Sequence, residues 1–170
     1  MDKDFILDIY YSTKGNLDEI NTAIEARLEK SSQTRKISLI GNFIKTRLTA
    51  NPKVLKMPNM EINSLEAIYL GCYPGVENVE VLDLRQNHIG DQGLEGICQS
   101  PALINLREMD LRNNQITRAG MQKLLAATHL SRLEKLDLRL NKLGGELWWK
   151  RLKESGNFPE LSDLRVGGGG

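Results

Sequence analysis

Histidine, cysteine and aromatic residues are scarce in this sequence, and each scarcity closes a class of function. His88 and His129 are the only histidines among 170 residues. A catalytic triad or a zinc site needs such groups to converge with an orienting acid, and these two fall in different columns of the pattern set out below. Cys72 and Cys98 are too few for a disulfide framework or a thiolate cluster. A surplus of either charge is missing too, with 23 basic side chains against 22 acidic ones. Proteins that hold nucleic acid through its phosphates carry a basic excess or stripe, so the overall balance argues against that partner. No stretch approaches the roughly 18 uninterrupted apolar residues of a membrane span. The opening MDKDFILDIYY sets acids around a short apolar run, unlike a secretory signal. No glycine-rich phosphate loop follows a strand, since GLEGIC falls within a helical stretch. The expectation is a non-enzyme with no cofactor, no metal and no small-molecule substrate, in a reduced, intracellular setting such as the cytoplasm.

What is present is repetition. VEVLDLRQNHIGDQGLEGICQSPALIN at 79–105 is followed by LREMDLRNNQITRAGMQKLLAATHLSR at 106 and LEKLDLRLNKLGGELWWKRLKESGNFPE at 133. Leu82, Met109 and Leu136 are 27 residues apart, as are Leu84, Leu111 and Leu138. The same spacing joins Asp83 to Asp110 and Asp137, Arg85 to Arg112 and Arg139, and Asn87 to Asn114 and Asn141. A fixed period of this size marks a solenoid, whose units share a hydrophobic interior between neighbours.

The register L-x-x-L-x-L-x-x-N-x-L resembles a leucine-rich repeat protein. The period and the glycines at Gly93 and Gly120 are most similar to its ribonuclease-inhibitor-type branch. The resemblance implies an α/β solenoid: a short curved arc of about seven parallel strands on the concave face, with helices on the convex face. It also implies that Asn87, Asn114 and Asn141 form a buried ladder of side-chain hydrogen bonds, and that the concave face is where a protein partner docks. Ribonuclease-inhibitor members are far longer and rich in cysteine, so their inhibitory activity is not carried over.

Taken in order, the chain reads as one domain over 1–166 with a flexible glycine tail at 167–170. Residues 1–33 read as an N-terminal cap, with a faint strand at Leu7-Asp8-Ile9. Within it Leu17, Ile20, Ile24 and Leu28 share one face of a helix over Leu17–Lys30. Residues 34–78 read as irregular repeats. Ile37-Ser38-Leu39 overlays Leu82-Asp83-Leu84, which predicts a strand, with a short helix at Lys45–Ala50 and breaks at Pro52 and Pro58. Leu65-Glu66-Ala67-Ile68-Tyr69-Leu70 reads as another strand, with Tyr73 in the asparagine position. Only 14 residues part Leu65 from Val79, which leaves no room for a helix between them. Residues 79–166 hold the regular repeats, with strands near 82–84, 109–111 and 136–138. Their helices open after Asp91, Thr117 and Gly145, and a last strand starts at Leu161.

Strand side chains alternate between faces. With the leucines inward, Asp83, Asp110 and Asp137 form one outward column and Arg85, Arg112 and Arg139 a second. Each arginine can reach carboxylates of its own and adjacent strands, which describes a self-satisfied salt-bridge ladder as well as a surface offered to an acidic partner. Tyr69 falls in the aspartate column. Trp148 falls on Met121, an inward position, and Trp149 on Gln122, an outward one. The expected function is a non-catalytic adaptor or scaffold module binding a protein partner through Tyr69, the six Asp and Arg residues, and Trp149. Three alternatives stay open: an assembly subunit docking through its C-terminal edge, an enzyme regulator, and a weak nucleic-acid role for the arginines.

Overall fold

The computed structural model describes residues 37–145 and 147–167, together with 12, 13, 16, 19, 22 and 23. The strand expected at Leu7–Ile9 and glycines 168–170 lie outside the described residues, and the cap helix over Leu17–Lys30 lies almost wholly outside them. From there the chain runs α1 (Ile37–Ala50), β1 (Val54–Lys56), α2 (Ser64–Cys72), a 3-10 turn (Val76–Asn78), β2 (Val81–Asp83) and α3 (Gly90–Gln99). It continues with β3 (Glu108–Asp110), α4 (Arg118–Leu125), β4 (Lys135–Asp137), α5 (Trp148–Ser155) and β5 (Asp163–Arg165). The five strands form one parallel sheet in chain order. Parallel neighbours need a crossover, and each crossover from β1 to β5 carries a helix.

The expected α/β solenoid is what the chain forms, but its first repeats lie elsewhere than expected. Ile37–Leu39 is not a strand; it opens α1, where Ile37, Ile40 and Ile44 are buried at helical spacing. Leu65–Leu70 is not a strand either. It lies in α2, which opens with a capping box: the Asn63 side chain accepts from Glu66 N–H, and the Glu66 carboxylate accepts from Asn63 N–H. The helix excluded between Leu65 and Val79 is therefore α2 itself. The strand of this repeat is β1, where Leu55 pairs with Leu82, 27 residues on. Five strands, not seven, are present among the described residues. The 27-residue period thus reaches one repeat further upstream, with Lys56 in the aspartate column, Pro58 in the arginine column and Met60 in the asparagine column.

A backbone feature carries the same period. Asn59, Gln86, Asn113 and Leu140 all have positive φ, between 52° and 60°. Each turns the chain off its strand by a left-handed residue immediately before the ladder position. The interior is built from Leu55, Leu82, Met109 and Leu136 on the strands and from Leu84, Leu111 and Leu138 just after them, all buried. Burying each such side chain contributes about 1.5–3 kcal/mol. On the helical side, α3 lies close against α2 because Gly93 and Gly96 have no side chain. A Cβ on Gly93 would sit 3.0 Å from Ser64 Cα, and one on Gly96 2.5 Å from Ile68 Cγ1. Asp91 does not cap α3, whose N-cap is Ile89. Its carboxylate instead accepts from the Thr117 N–H at 2.7 Å and hydroxyl at 2.6 Å, clipping one repeat to the next. Thr117 does cap α4, accepting from Ala119 N–H.

Candidate functional site on the outward face of the sheet

Three outward rows cross the sheet. The middle one holds Lys56, Asp83, Asp110, Asp137 and Arg165, which pair in register from β1 to β5. Val81, Glu108, Lys135 and Asp163 form the row on one side of it. Arg85, Arg112 and Arg139, two residues beyond the aspartates, form the row on the other. Side chains of the first two rows border a shallow groove of about 330 Å³, whose lining includes Lys56, Asp110, Lys135 and Arg165; the arginine row lies outside that lining.

The aspartates and arginines meet within each repeat. Arg112 Nε donates to Asp110 at 3.0 Å and Nη2 at 2.6 Å, while Arg112 N–H donates to the same carboxylate at 3.1 Å. Arg139 holds Asp137 in the same way, at 3.0, 2.6 and 3.2 Å. Arg85 is held more loosely, 3.6 Å from Asp83 and 43% exposed. Arg112 also reaches Asp137 of the next repeat at 3.5 Å. These forks raise the Arg112 and Arg139 pKa values above the ordinary guanidinium value, chiefly through the hydrogen bond to the paired carboxylate. Burial pushes the Asp137 carboxyl up, but the bonds from Arg139 and the nearby Arg112 charge outweigh it and hold it below the ordinary carboxylate value. The guanidiniums of Arg112 and Arg139 are therefore charged and set in a fixed orientation by their own aspartates.

Behind this face lies the asparagine ladder. Asn87 Oδ1 accepts from the N–H groups of Met60 and Ile62, and its Nδ2 donates to the Met57 and Leu84 carbonyls. Asn141 repeats this with Asn114, Ile116, Leu111 and Leu138. All three asparagines are buried. They hold the loops that carry the arginines and present nothing to solvent.

Other expected positions divide. Tyr69 is not on the sheet. It is fully buried in α2, edge-on to Tyr73 at 5.8 Å, and Tyr73 is buried at the end of that helix instead of occupying an asparagine position. Its placement on the face followed from the mistaken strand at 65–70. Trp148 is buried, with Nε1 donating to Leu143 O, and Trp149 is 41% exposed beneath Lys153. Both cysteines are buried free thiols whose pKa values burial raises, that of Cys72 to about 12. Lys56 and Arg165, which close the two ends of the aspartate row, were missed. The 27-residue count back from Leu82 to Leu55 was the signal for Lys56.

Repeat, parallel sheet and asparagine ladder together define a leucine-rich repeat protein. A family model described as Leucine Rich repeat matches residues 77–98 and 102–125. No curated protein matches the chain by sequence. Among solved structures, the chain is similar in fold to leiomodin-1 actin-binding site 2, at 15% identity over 77% of this chain and 76% of that one, TM-score 0.57. It is likewise similar to a tropomodulin C-terminal domain from Caenorhabditis elegans, at 14% identity over 78% and 83%, TM-score 0.52. Among the described residues, no helix is long and apolar enough to cross a membrane.

Proposed function

We propose that the protein is a non-catalytic protein-binding module of ribonuclease-inhibitor-type repeats, acting inside the cell as an adaptor or scaffold. Its partner docks on the outward, hollow face of the sheet through Asp83, Arg85, Asp110, Arg112, Asp137 and Arg139. The observation that carries this reading is the row of outward arginines, with Arg112 and Arg139 pinned by aspartates that line the groove. Side chains already fixed by their own aspartates lose little freedom on binding, which lowers the entropic cost of docking. The leiomodin-1 neighbour is an actin-binding site, so actin is the first partner to try. The test is co-sedimentation with actin, and capture from native extract, with wild type beside a folded Arg85→Glu/Arg112→Glu/Arg139→Glu variant. A partner held by the wild type and lost by the variant supports the reading. A partner indifferent to the change removes it.

A second surface is favoured by one observation. Leu147 is 74% exposed next to α5, and Trp149 projects from that same last helix. Exposed tryptophan is enriched at binding hot spots. In this second reading the C-terminal end docks the protein into a larger assembly. Sedimentation at rising concentration with wild type and Trp149→Ala tests it, and a variant that associates like the wild type ends it.

A further inference from the structure

The outward columns do not follow one rule. Lys53, Glu80, Arg107 and Glu134 alternate in sign from repeat to repeat, closed by Lys53–Glu80 at 2.7 Å and by the Arg107–Glu134 pair. Glu108 and Lys135 do the same on the sheet, at 2.6 Å. Alternation is what stability alone favours, because opposite charges on neighbouring strands attract and like charges repel. The arginine column breaks the rule by stacking Arg85, Arg112 and Arg139. Their aspartates cover only one side of each guanidinium. In Arg112 and Arg139 the Nε and Nη2 groups are spent on the carboxylate, and Nη1 meets no acceptor among the described residues. That leaves an end-on N–H edge free to take a second carboxylate. Lys56 adds a further cation on this face with no ion pair among the described residues.

We propose that the arginine column is a docking strip for an acidic α-helix of a partner protein, lying across the strands with carboxylates at i, i+4 and i+7. This rests on the docking reading above and specifies its partner. Spacing selects the helix. The first and last arginines are two strand spacings apart, about 9.6 Å at about 4.8 Å each. Positions i and i+7 of a helix share a face and stand about 10.5 Å apart at 1.5 Å per residue. The third same-face side chain of an extended strand lies about 13 Å from the first, so it overshoots the last arginine by about 3–4 Å.

The probe is a labelled, alanine-rich helical peptide with three glutamates at i, i+4 and i+7, titrated into the full chain and followed by fluorescence anisotropy. Its control is an isomer of equal composition whose glutamates are spread around the helix. The one-face peptide binds at least about 10-fold more tightly than the isomer and weakens as salt rises. A quadruple variant, Asp110→Asn/Arg112→Gln/Asp137→Asn/Arg139→Gln, keeps the face balanced in charge and lowers affinity about 10-fold, with its fold checked by circular dichroism. Equal binding of both peptides, an unchanged variant, or tighter binding of a single-stranded oligonucleotide overturns the inference. The folded Arg85→Glu/Arg112→Glu/Arg139→Glu variant separates the two readings. If it abolishes association with a captured partner while the peptide fails, the acidic-helix inference falls alone. If the partner still binds it, the docking reading falls.

Discussion

Asn141 accepts the backbone N–H of Asn114 at 2.9 Å, so one ladder residue secures the one 27 residues before it. The same oxygen takes the Ile116 N–H at 3.0 Å, and the amide nitrogen donates to the carbonyls of Leu111 and Leu138. Removing that side chain leaves these buried groups without partners. An unmet buried group costs about 1–3 kcal/mol, so Asn141→Ala should lose about 2–4 kcal/mol. Urea denaturation reads the loss, and Gln122→Ala, at an exposed position of α4, serves as a control within about 0.5 kcal/mol of wild type.

Leu140 occupies the left-handed turn position with φ of 60°, and its side chain is 58% exposed. A branched apolar residue there is strained, while asparagine enters this region readily. Leu140→Asn should raise stability by about 0.5–1 kcal/mol. A loss of stability in thermal or urea unfolding would show that Leu140 makes a contact that outweighs the strain.

Gly96 lies in mid-helix, where alanine is favoured by about 1 kcal/mol on propensity alone. Its added methyl would meet Ile68 Cγ1 at 2.5 Å and Ile68 Cα at 3.2 Å. Overpacking of that kind costs about 1–3 kcal/mol, so Gly96→Ala should destabilise on balance. A neutral or raised unfolding midpoint would mean that α3 can move away from α2 at little cost.

Asp137 sets a pH dependence. Its folded pKa lies below the ordinary 3.8, so the stability it contributes is present above that value and is lost as pH falls through the folded one. Unfolding measured from about pH 5 down to about pH 2 should show that loss, with a shallower slope in Asp137→Asn. Parallel slopes for the two proteins would count against the pairing.

Cys72 and Cys98 are both buried, with thiol pKa values raised by burial. Neither should react with an aromatic disulfide reagent in the native protein near pH 8, and both should react in denaturant. Native-state reaction would place at least one thiol in a segment that opens readily.

The solenoid from residue 79 onward was legible because its signal is periodic. Leucines, aspartates, arginines and asparagines recur in step, and only a stacked structure uses every column. The same residues announced the ladder and the outward charges. Residues 37–72 misled because apolar spacing is ambiguous over short stretches. Leu65, Ile68 and Leu70 fit the strand register, and the helix they form is buried from Glu66 to Cys72, so it shows no single apolar face to give it away. Asn63 with Glu66, a capping-box pair, was the local cue for the helix.

By itself the sequence determined the period, the class of fold, and which residues stand in common columns, since these follow from spacing along one chain. Tertiary structure alone decided that Tyr69 is core. It also decided that the aspartates take one edge of each guanidinium and leave the other open. Those outcomes depend on which neighbouring turn a segment packs against and on distances between strands, and neither quantity is carried by any one repeat.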